Sequence, residues 1–159
     1  MDIPPIEQVK IQAQVLVPLV KALQAELGEE RANALIRKAL EGVYRKFGED
    51  WWNTHQGNLT DKLQPVLEMF AAGEALDYQP LKQSADTFEF NMTGCRYAQF
   101  YGELGEPELG FLLVCYPDVP MTEGFGPEVE FKRTQTIMQG ASHCDFRFKL
   151  RQRAEEKPR

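Results

Sequence analysis

The sequence predicts one α+β domain, in which N-terminal helices pack with an antiparallel sheet of about four strands and two short helices. Apolar residues recur at helical spacing as far as residue 72, and after Gly73 they begin to alternate with polar residues as they do in strands. No linker or internal repeat divides the chain, and its 159 residues suit one domain with a sizeable core. We therefore expect the domain to span residues 1–150 and residues 151–159 to form a charged tail.

Three helices are predicted in the first half of the chain. Apolar stripes at helical spacing cover the ranges 4–27, 29–54 and 60–72. Gly28 and Gly73 are typical of the residues at which helices end. Pro18 should kink the first helix or mark where it really begins, because proline lacks the backbone donor that a helix interior needs.

Strands and short helices are predicted after Gly73. Alternation favours strands over 78–82 and 87–92. Thr93 is a suitable cap for a short helix over 94–104, and Pro107 suits the first turn of another over 106–115. The remaining segments are expected to be a glycine-rich connector at 121–127, a strand at 128–138, a hairpin turn at 140–142 and a strand at 144–150.

Composition and charge exclude several classes of protein. The net charge of −6 and the pI near 5.0 argue against nucleic acid or an anionic membrane as a partner. No apolar run is long enough to span a bilayer, and the N-terminus lacks the features of a secretory signal. Three cysteines without a CxxC spacing indicate a reducing, cytoplasmic setting rather than a disulfide scaffold. No cofactor or metal is predicted, and a homo-oligomer is compatible with the sequence.

The last predicted strand carries the densest group of reactive residues. Alternation should turn Cys144 toward the core and place His143 and Asp145 on the opposite face. His143 is a candidate general acid or base that Asp145 could orient. The alternative is an ordinary exposed polar face. Because an ideal strand separates Cys144 from His143, the two cannot form a catalytic pair without a bulge.

The other candidate residues are scattered along the chain. Cys95 is expected in the first turn of a helix, where the helix dipole would lower the pKa of its thiol, although a buried apolar role is the alternative. Cys115 is expected in the core. Glu123 in the connector could hold a carboxylate over a pocket, or it could be solvated. Arginine side chains could bind a substrate carboxylate through two hydrogen bonds, and the candidates are Arg96, Arg133 and Arg147.

Several blocks resemble one known family, that of the L-2-amino-thiazoline-4-carboxylic acid hydrolases. The blocks are Asn91 to Ala98, Glu103 to Gly110, Glu123 to Phe125, Arg133 to Gly140 and His143 to Phe148. The resemblance covers about residues 30–150. It implies a bacterial enzyme that opens a ring of the cyclic amidine type with water and yields an N-carbamoyl-cysteine. The positions that match the family's recurring pattern are Cys95, Tyr97, Glu123, His143, Cys144 and Asp145.

Two functions follow as hypotheses. The first is a hydrolase acting on a C–N bond of a small cyclic amidine, with Arg96 and Tyr97 binding the substrate and Cys95 and Cys144 facing one cavity. His143 would activate water and Glu123 would donate a proton, or a thiol would attack and form a covalent intermediate. The second hypothesis comes from a fainter resemblance to the four-vinyl-reductase-type small-molecule-binding domain, which implies a sensor or carrier without catalysis.

Overall fold

The computed structural model describes residues 2–152, and its architecture confirms the predicted α+β class. Three long helices come first, namely α1 (Pro5–Leu27), α2 (Glu29–Thr54) and α3 (Leu59–Ala71). The rest of the chain forms β1 (Leu76–Gln83), β2 (Thr87–Cys95), α4 (Arg96–Glu103), α5 (Pro107–Gly110), a π-helical turn (Phe111–Cys115), α6 (Asp118–Phe125), β3 (Val129–Lys132), a 3₁₀ turn (Ile137–Gln139) and β4 (Cys144–Leu150). Most of the predicted tail at 151–159 lies outside the described residues.

The four strands form one antiparallel sheet in the order β1-β2-β4-β3, as the sequence predicts in number and direction. In the pairing of β2 with β4, Met92 lies opposite Cys144 and Phe90 lies opposite Phe146. The rings of Phe90 and Phe146 stack with their centroids 4.8 Å apart. The alternation of β4 therefore turns Cys144 and its aromatic neighbours onto the same face as the inward residues of β2.

The N-terminal helices agree with the apolar stripes. α2 has the predicted bounds, and α1 continues across Pro18 as a single helix. α3 begins one residue earlier than predicted because Asn58 and Asp61 form a capping box, in which each side chain accepts a hydrogen bond from the other's backbone N–H. The helices then bury one side each against the sheet and the short helices.

The predicted glycine-rich connector at 121–127 is wrong, because most of it belongs to α6. Gly124 in this segment allows close helix packing rather than a turn. A Cβ atom built on Gly124 would lie 2.2 Å from the carbonyl oxygen of Arg45, and one built on Gly48 would lie 2.0 Å from that of Met121. Two glycines thus let the backbones of α2 and α6 touch.

Two further boundaries differ from the prediction. β2 runs on to Cys95, so α4 starts at Arg96 and Cys95 is its cap. The predicted strand at 128–138 ends at Lys132, and the chain then enters a loop in which the Thr136 side chain caps the 3₁₀ turn. β3 and β4 still pair, but a long connection joins them instead of a tight hairpin.

Candidate functional site

A cavity of about 160 Å³ lies between the helices and the inner face of the sheet. Its walls are mostly apolar and come from α1, α2, α3, β2, β4, α4 and α6. An apolar cavity of about 150 Å³ can hold a molecule the size of benzene. The cavity therefore suits a ligand with a single small ring.

One ion pair gives this cavity a charged end. Asp118 begins α6, and its Oδ2 accepts a hydrogen bond of 2.6 Å from a guanidinium nitrogen of Arg133. A second nitrogen of Arg133 donates to the carbonyl oxygen of Cys115 at 3.1 Å. The guanidinium also lies 5.6 Å from the ring centroid of Phe131 and 5.3 Å from that of Phe146. These contacts hold Arg133 in one orientation.

The ion pair is enclosed. The Arg133 side chain keeps only 7% of its accessible area, and Asp118 keeps 25%, which we assign to the cavity because Asp118 lines it. Burial raises the pKa of the Asp118 carboxyl, while the charge and the hydrogen bond of Arg133 oppose that rise. No described residue hydrogen-bonds to the other carboxylate oxygen, Oδ1. That oxygen can accept a hydrogen bond from a ligand or from water.

Cys95 and Cys144 both line the cavity. Each sulfur accepts a backbone hydrogen bond, Cys95 from Ala98 at 3.4 Å and Cys144 from Ile137 at 3.2 Å. The expectation of a lowered thiol pKa is wrong, because burial raises the pKa of Cys95 to about 11 and also raises that of Cys144. Both thiols are therefore protonated at neutral pH, and neither is an activated nucleophile.

Three tyrosines also line the cavity, and they differ in how their hydroxyls are used. The Tyr97 hydroxyl donates to the carbonyl oxygen of Phe70 at 2.8 Å. Tyr44 and Tyr101 also line the cavity, but among residues 2–152 no group hydrogen-bonds to either hydroxyl. Burial raises the pKa of all three phenols, so each is a neutral hydrogen-bonding group.

His143 and Asp145 do not line this cavity. The imidazole of His143 contacts the Ser142 hydroxyl at 2.9 Å and the Gln135 amide at 3.4 Å. Asp145 accepts hydrogen bonds from the backbone N–H groups of Thr134 and Gln135 and from the Thr134 hydroxyl. Asp145 thus anchors the loop after β3, and it makes no hydrogen bond to His143, contrary to the predicted orienting role.

Glu123 and Arg96 lie on the surface. The Glu123 side chain is 53% exposed, pairs with Arg45 at 2.6 Å and borders a separate, open depression beside β3. Arg96 is 56% exposed and lies 3.8 Å from Glu74. Neither lines the cavity, so the carboxylate and the guanidinium that do so are those of Asp118 and Arg133.

Comparison with known proteins identifies the family. Residues 8–148 match the model of the L-2-amino-thiazoline-4-carboxylic acid hydrolases. The chain belongs to this family. The resemblance predicted from the sequence is thereby confirmed. The matched range contains Asp118, Arg133 and all three cysteines.

The fold of this family member also occurs in a solved sensory domain. The crystal structure of the phenol-responsive sensory domain of the transcription activator PoxR with phenol is similar, with a TM-score of 0.51 and 17% identity. The match covers 85% of this chain and 72% of that one. At this identity the likeness shows a shared fold. A search of curated proteins found no match.

Sequence reasoning missed the carboxylate that lines the cavity. Asp118 follows Pro117, and a proline before an acidic first-turn residue is typical of a helix start, so a signal for α6 was present. Nothing in the sequence marks Tyr44 or Tyr101 as facing a cavity, because both fit an ordinary apolar stripe. Cys115 was expected in the core, and it lies where the core meets the cavity.

Within residues 2–152, no three His, Cys, Asp or Glu side chains converge in an arrangement that could hold a metal ion. No helix in that range is long and apolar enough to cross a membrane. Among these residues, the polar lining of the cavity is one ion pair, neutral thiols, hydroxyls and the side-chain amide of Gln12.

Proposed function

We propose that this chain is a hydrolase that opens a small cyclic amidine, with L-2-amino-thiazoline-4-carboxylate as the reference substrate. The observation that carries the proposal is the ion pair of Asp118 and Arg133 in a cavity sized for one small ring. Membership in the hydrolase family supports the class of reaction.

The charges of the site complement such a substrate. An amidinium offers N–H donors, and Oδ1 of Asp118 can accept a hydrogen bond from one of them. A ring carboxylate can accept the remaining N–H donors of Arg133. A zwitterion also adds no net charge to an enclosed pair that is itself neutral, which avoids the cost of burying an unbalanced charge.

Asp118 is also suited to activate water. Its raised pKa makes it a stronger base than a solvated carboxylate, provided that Arg133 keeps it ionised. In the proposed step the oxygen of water bonds to the ring carbon between nitrogen and sulfur, and the proton of water passes to Asp118. The carbon–sulfur bond then breaks, and Asp118 gives the proton to the leaving sulfur. The hydroxyl on the carbon releases its own proton to solvent as it becomes the carbonyl of the carbamoyl group. One water is consumed, and an N-carbamoyl amino acid with a free thiol is formed.

The atoms of the product change one detail of the hypothesis drawn from the sequence. An N-carbamoyl product keeps the ring C–N bond, so the bond that breaks is C–S. The roles first given to His143 and Glu123 pass to Asp118, and the role of Arg96 passes to Arg133. Cys95 and Cys144 stay in the proposal as neutral groups that line the site, and their raised pKa values favour direct attack by water over a covalent route.

The second candidate is a domain that binds a small ligand without reaction. Its support is the fold shared with a phenol-responsive sensory domain and the apolar character of most of the cavity wall. The two functions differ in one observable, the release of a free thiol from the thiazoline.

The test is turnover by the purified chain, followed as new thiol by a thiol-reactive dye and as N-carbamoyl-cysteine by NMR. Asp118→Asn should lower kcat at least about 100-fold, a loss typical of removing a catalytic base. Glu123→Gln, on the same helix but outside the cavity, should leave kcat within about twofold. Thiazoline that binds but yields no thiol would reject the hydrolase and support the ligand-binding domain.

A further inference from the structure

The hydroxyls of Tyr44 and Tyr101 are two polar groups of the cavity wall that the proposed reaction leaves unused. Tyr101 is almost completely buried, with 1% of its area accessible. No fully inaccessible side-chain oxygen or nitrogen among the described residues lacks a hydrogen-bond partner. Since the Tyr101 hydroxyl has no partner within residues 2–152, the small area that Tyr101 retains must include that oxygen.

The position of Tyr101 explains why the ring cannot turn elsewhere. A Cβ atom built on Gly110 would lie 2.7 Å from the Cβ and Cγ atoms of Tyr101, so the base of the ring is tightly held. The ring of Phe100 packs edge-on at 5.3 Å between centroids. The ring is therefore held in place, and its hydroxyl has no partner among residues 2–152. This arrangement is costly unless another molecule satisfies the hydroxyl.

Tyr44 provides a second hydroxyl from a different helix. It lies on α2, whereas Tyr101 lies on α4, and both line the same space as Asp118. The buried charge of Asp118 contributes to the raised pKa of Tyr44, and Tyr44 in turn contributes to that of Tyr101. These couplings agree with two hydroxyls and one carboxylate that are neighbours around one void.

We propose that Tyr44 and Tyr101 form a subsite that binds the carboxylate of the ligand together with Arg133, while Asp118 takes its N–H donors. This inference rests on the proposed function for the identity of the ligand. A phenol that stays neutral can donate to an anion, and an ionised Asp118 can only accept, so the two kinds of group suit oppositely charged groups of one zwitterion. Tyr97 has no such role because its hydroxyl is already bonded to Phe70.

The ligand class can be tested without any reaction. Thiazolidine-4-carboxylate is a single-ring zwitterion with N–H donors and a carboxylate, but it lacks the amidine carbon that water would attack. Its dissociation constant can be measured by calorimetry for the wild-type chain and for three variants, Tyr44→Phe, Tyr101→Phe and Tyr97→Phe.

Loss of a hydrogen bond to a charged group should weaken binding about tenfold in Tyr44→Phe and in Tyr101→Phe. Tyr97→Phe is the matched control, since it removes a hydroxyl from the same cavity wall, and its dissociation constant should change less than about twofold. The effects on melting temperature should be the other way round, largest for Tyr97→Phe and smallest for Tyr101→Phe. Tyr97→Phe should melt lower than wild type because it leaves the Phe70 carbonyl without its partner, whereas Tyr101→Phe should melt at the same temperature or higher.

Three results would overturn the subsite. They are wild-type affinity in Tyr101→Phe, equal weakening in all three variants, and no binding of thiazolidine-4-carboxylate by the wild-type chain. Because this probe cannot be hydrolysed, a chain that binds it as described but never opens the thiazoline refutes the hydrolase and leaves the subsite standing. If the chain opens the thiazoline but Tyr44→Phe and Tyr101→Phe bind the probe as tightly as wild type, the hydrolase stands and the subsite is refuted.

Discussion

At the scale of single residues, burial decides the protonation of the thiols. The pKa of Cys95 rises from an ordinary value of 9.0 to about 11, chiefly because burial disfavours the thiolate. The folded chain therefore keeps a proton that the unfolded chain loses. The stability contributed by this group is fully present below pH 9.0 and is lost as the pH rises toward about 11.

We expect Cys95→Ala to flatten the pH dependence of stability. The wild-type chain should lose about 2–3 kcal/mol from this thiol between about pH 8 and about pH 11. The variant should lose less over the same range, even though its lost packing lowers stability at both ends. Urea unfolding at the two pH values measures this, with Ser142→Ala as an exposed, non-titrating control. Parallel curves for Cys95→Ala and wild type would contradict the assignment.

The sequence could place some site residues and not others, and the reason is physical. The period-2 pattern of β4 correctly turns Cys144 inward, and Cys95 lines the same cavity as expected. Asp118 could not be distinguished from Glu123, because both are acidic residues near a glycine- and proline-rich segment. Which of them meets solvent depends on how α6 packs against α2, and that contact is not visible in local spacing.

At the scale of elements, the packing of α2 on α6 depends on glycine. Gly48 touches the backbone of Met121, whereas Gly42, on the same helix, has no atom within 4 Å of an added Cβ. We expect Gly48→Ala to destabilise the fold by about 2–3 kcal/mol, because the two helices must separate. Gly42→Ala should instead stabilise it by about 0.5–1 kcal/mol through helix propensity.

Chemical denaturation of both variants measures whether Gly48→Ala lowers the free energy of unfolding and Gly42→Ala raises it. Similar changes in the two variants would mean that α2 and α6 do not touch at Gly48. Cavity binding should weaken only in Gly48→Ala, since Asp118 and Met121 on α6 both line the cavity.

The long elements were predicted well because each satisfies one strong pattern over many residues. The stripes of α1, α2 and α3 and the alternation of β2 and β4 are examples. α6 was missed because glycine and proline usually end helices, and here tertiary contact makes glycine favourable. The predicted strand at 128–138 continued too far, since the buried pairing of Arg133 with Asp118 redirects the chain at that point.

At the scale of the whole molecule, the cavity forms where the helices meet the inner face of the sheet. Helices and sheet enclose a space whose size suits one ring, and few polar side chains decide what that ring must carry. In this chain the enclosed ion pair and the hydroxyls of Tyr44 and Tyr101, which have no partner among residues 2–152, favour a polar ligand. A purely apolar ring should therefore bind weakly.

Filling the cavity should separate the stability of the fold from its function. Val66 on α3 is buried and lines the cavity, so a larger side chain there would enter the empty space. We expect Val66→Phe to raise the stability by about 0.5–2 kcal/mol, as cavity filling commonly does, and to abolish both turnover and the binding of thiazolidine-4-carboxylate.

Val43→Phe is the control, because Val43 is 65% exposed and lies outside the cavity wall, so ligand binding should persist. Thermal melting with and without the ligand measures both effects, since a ligand that binds only the folded state raises the melting temperature. Val66→Phe that still responds to the ligand would show that the ligand binds elsewhere.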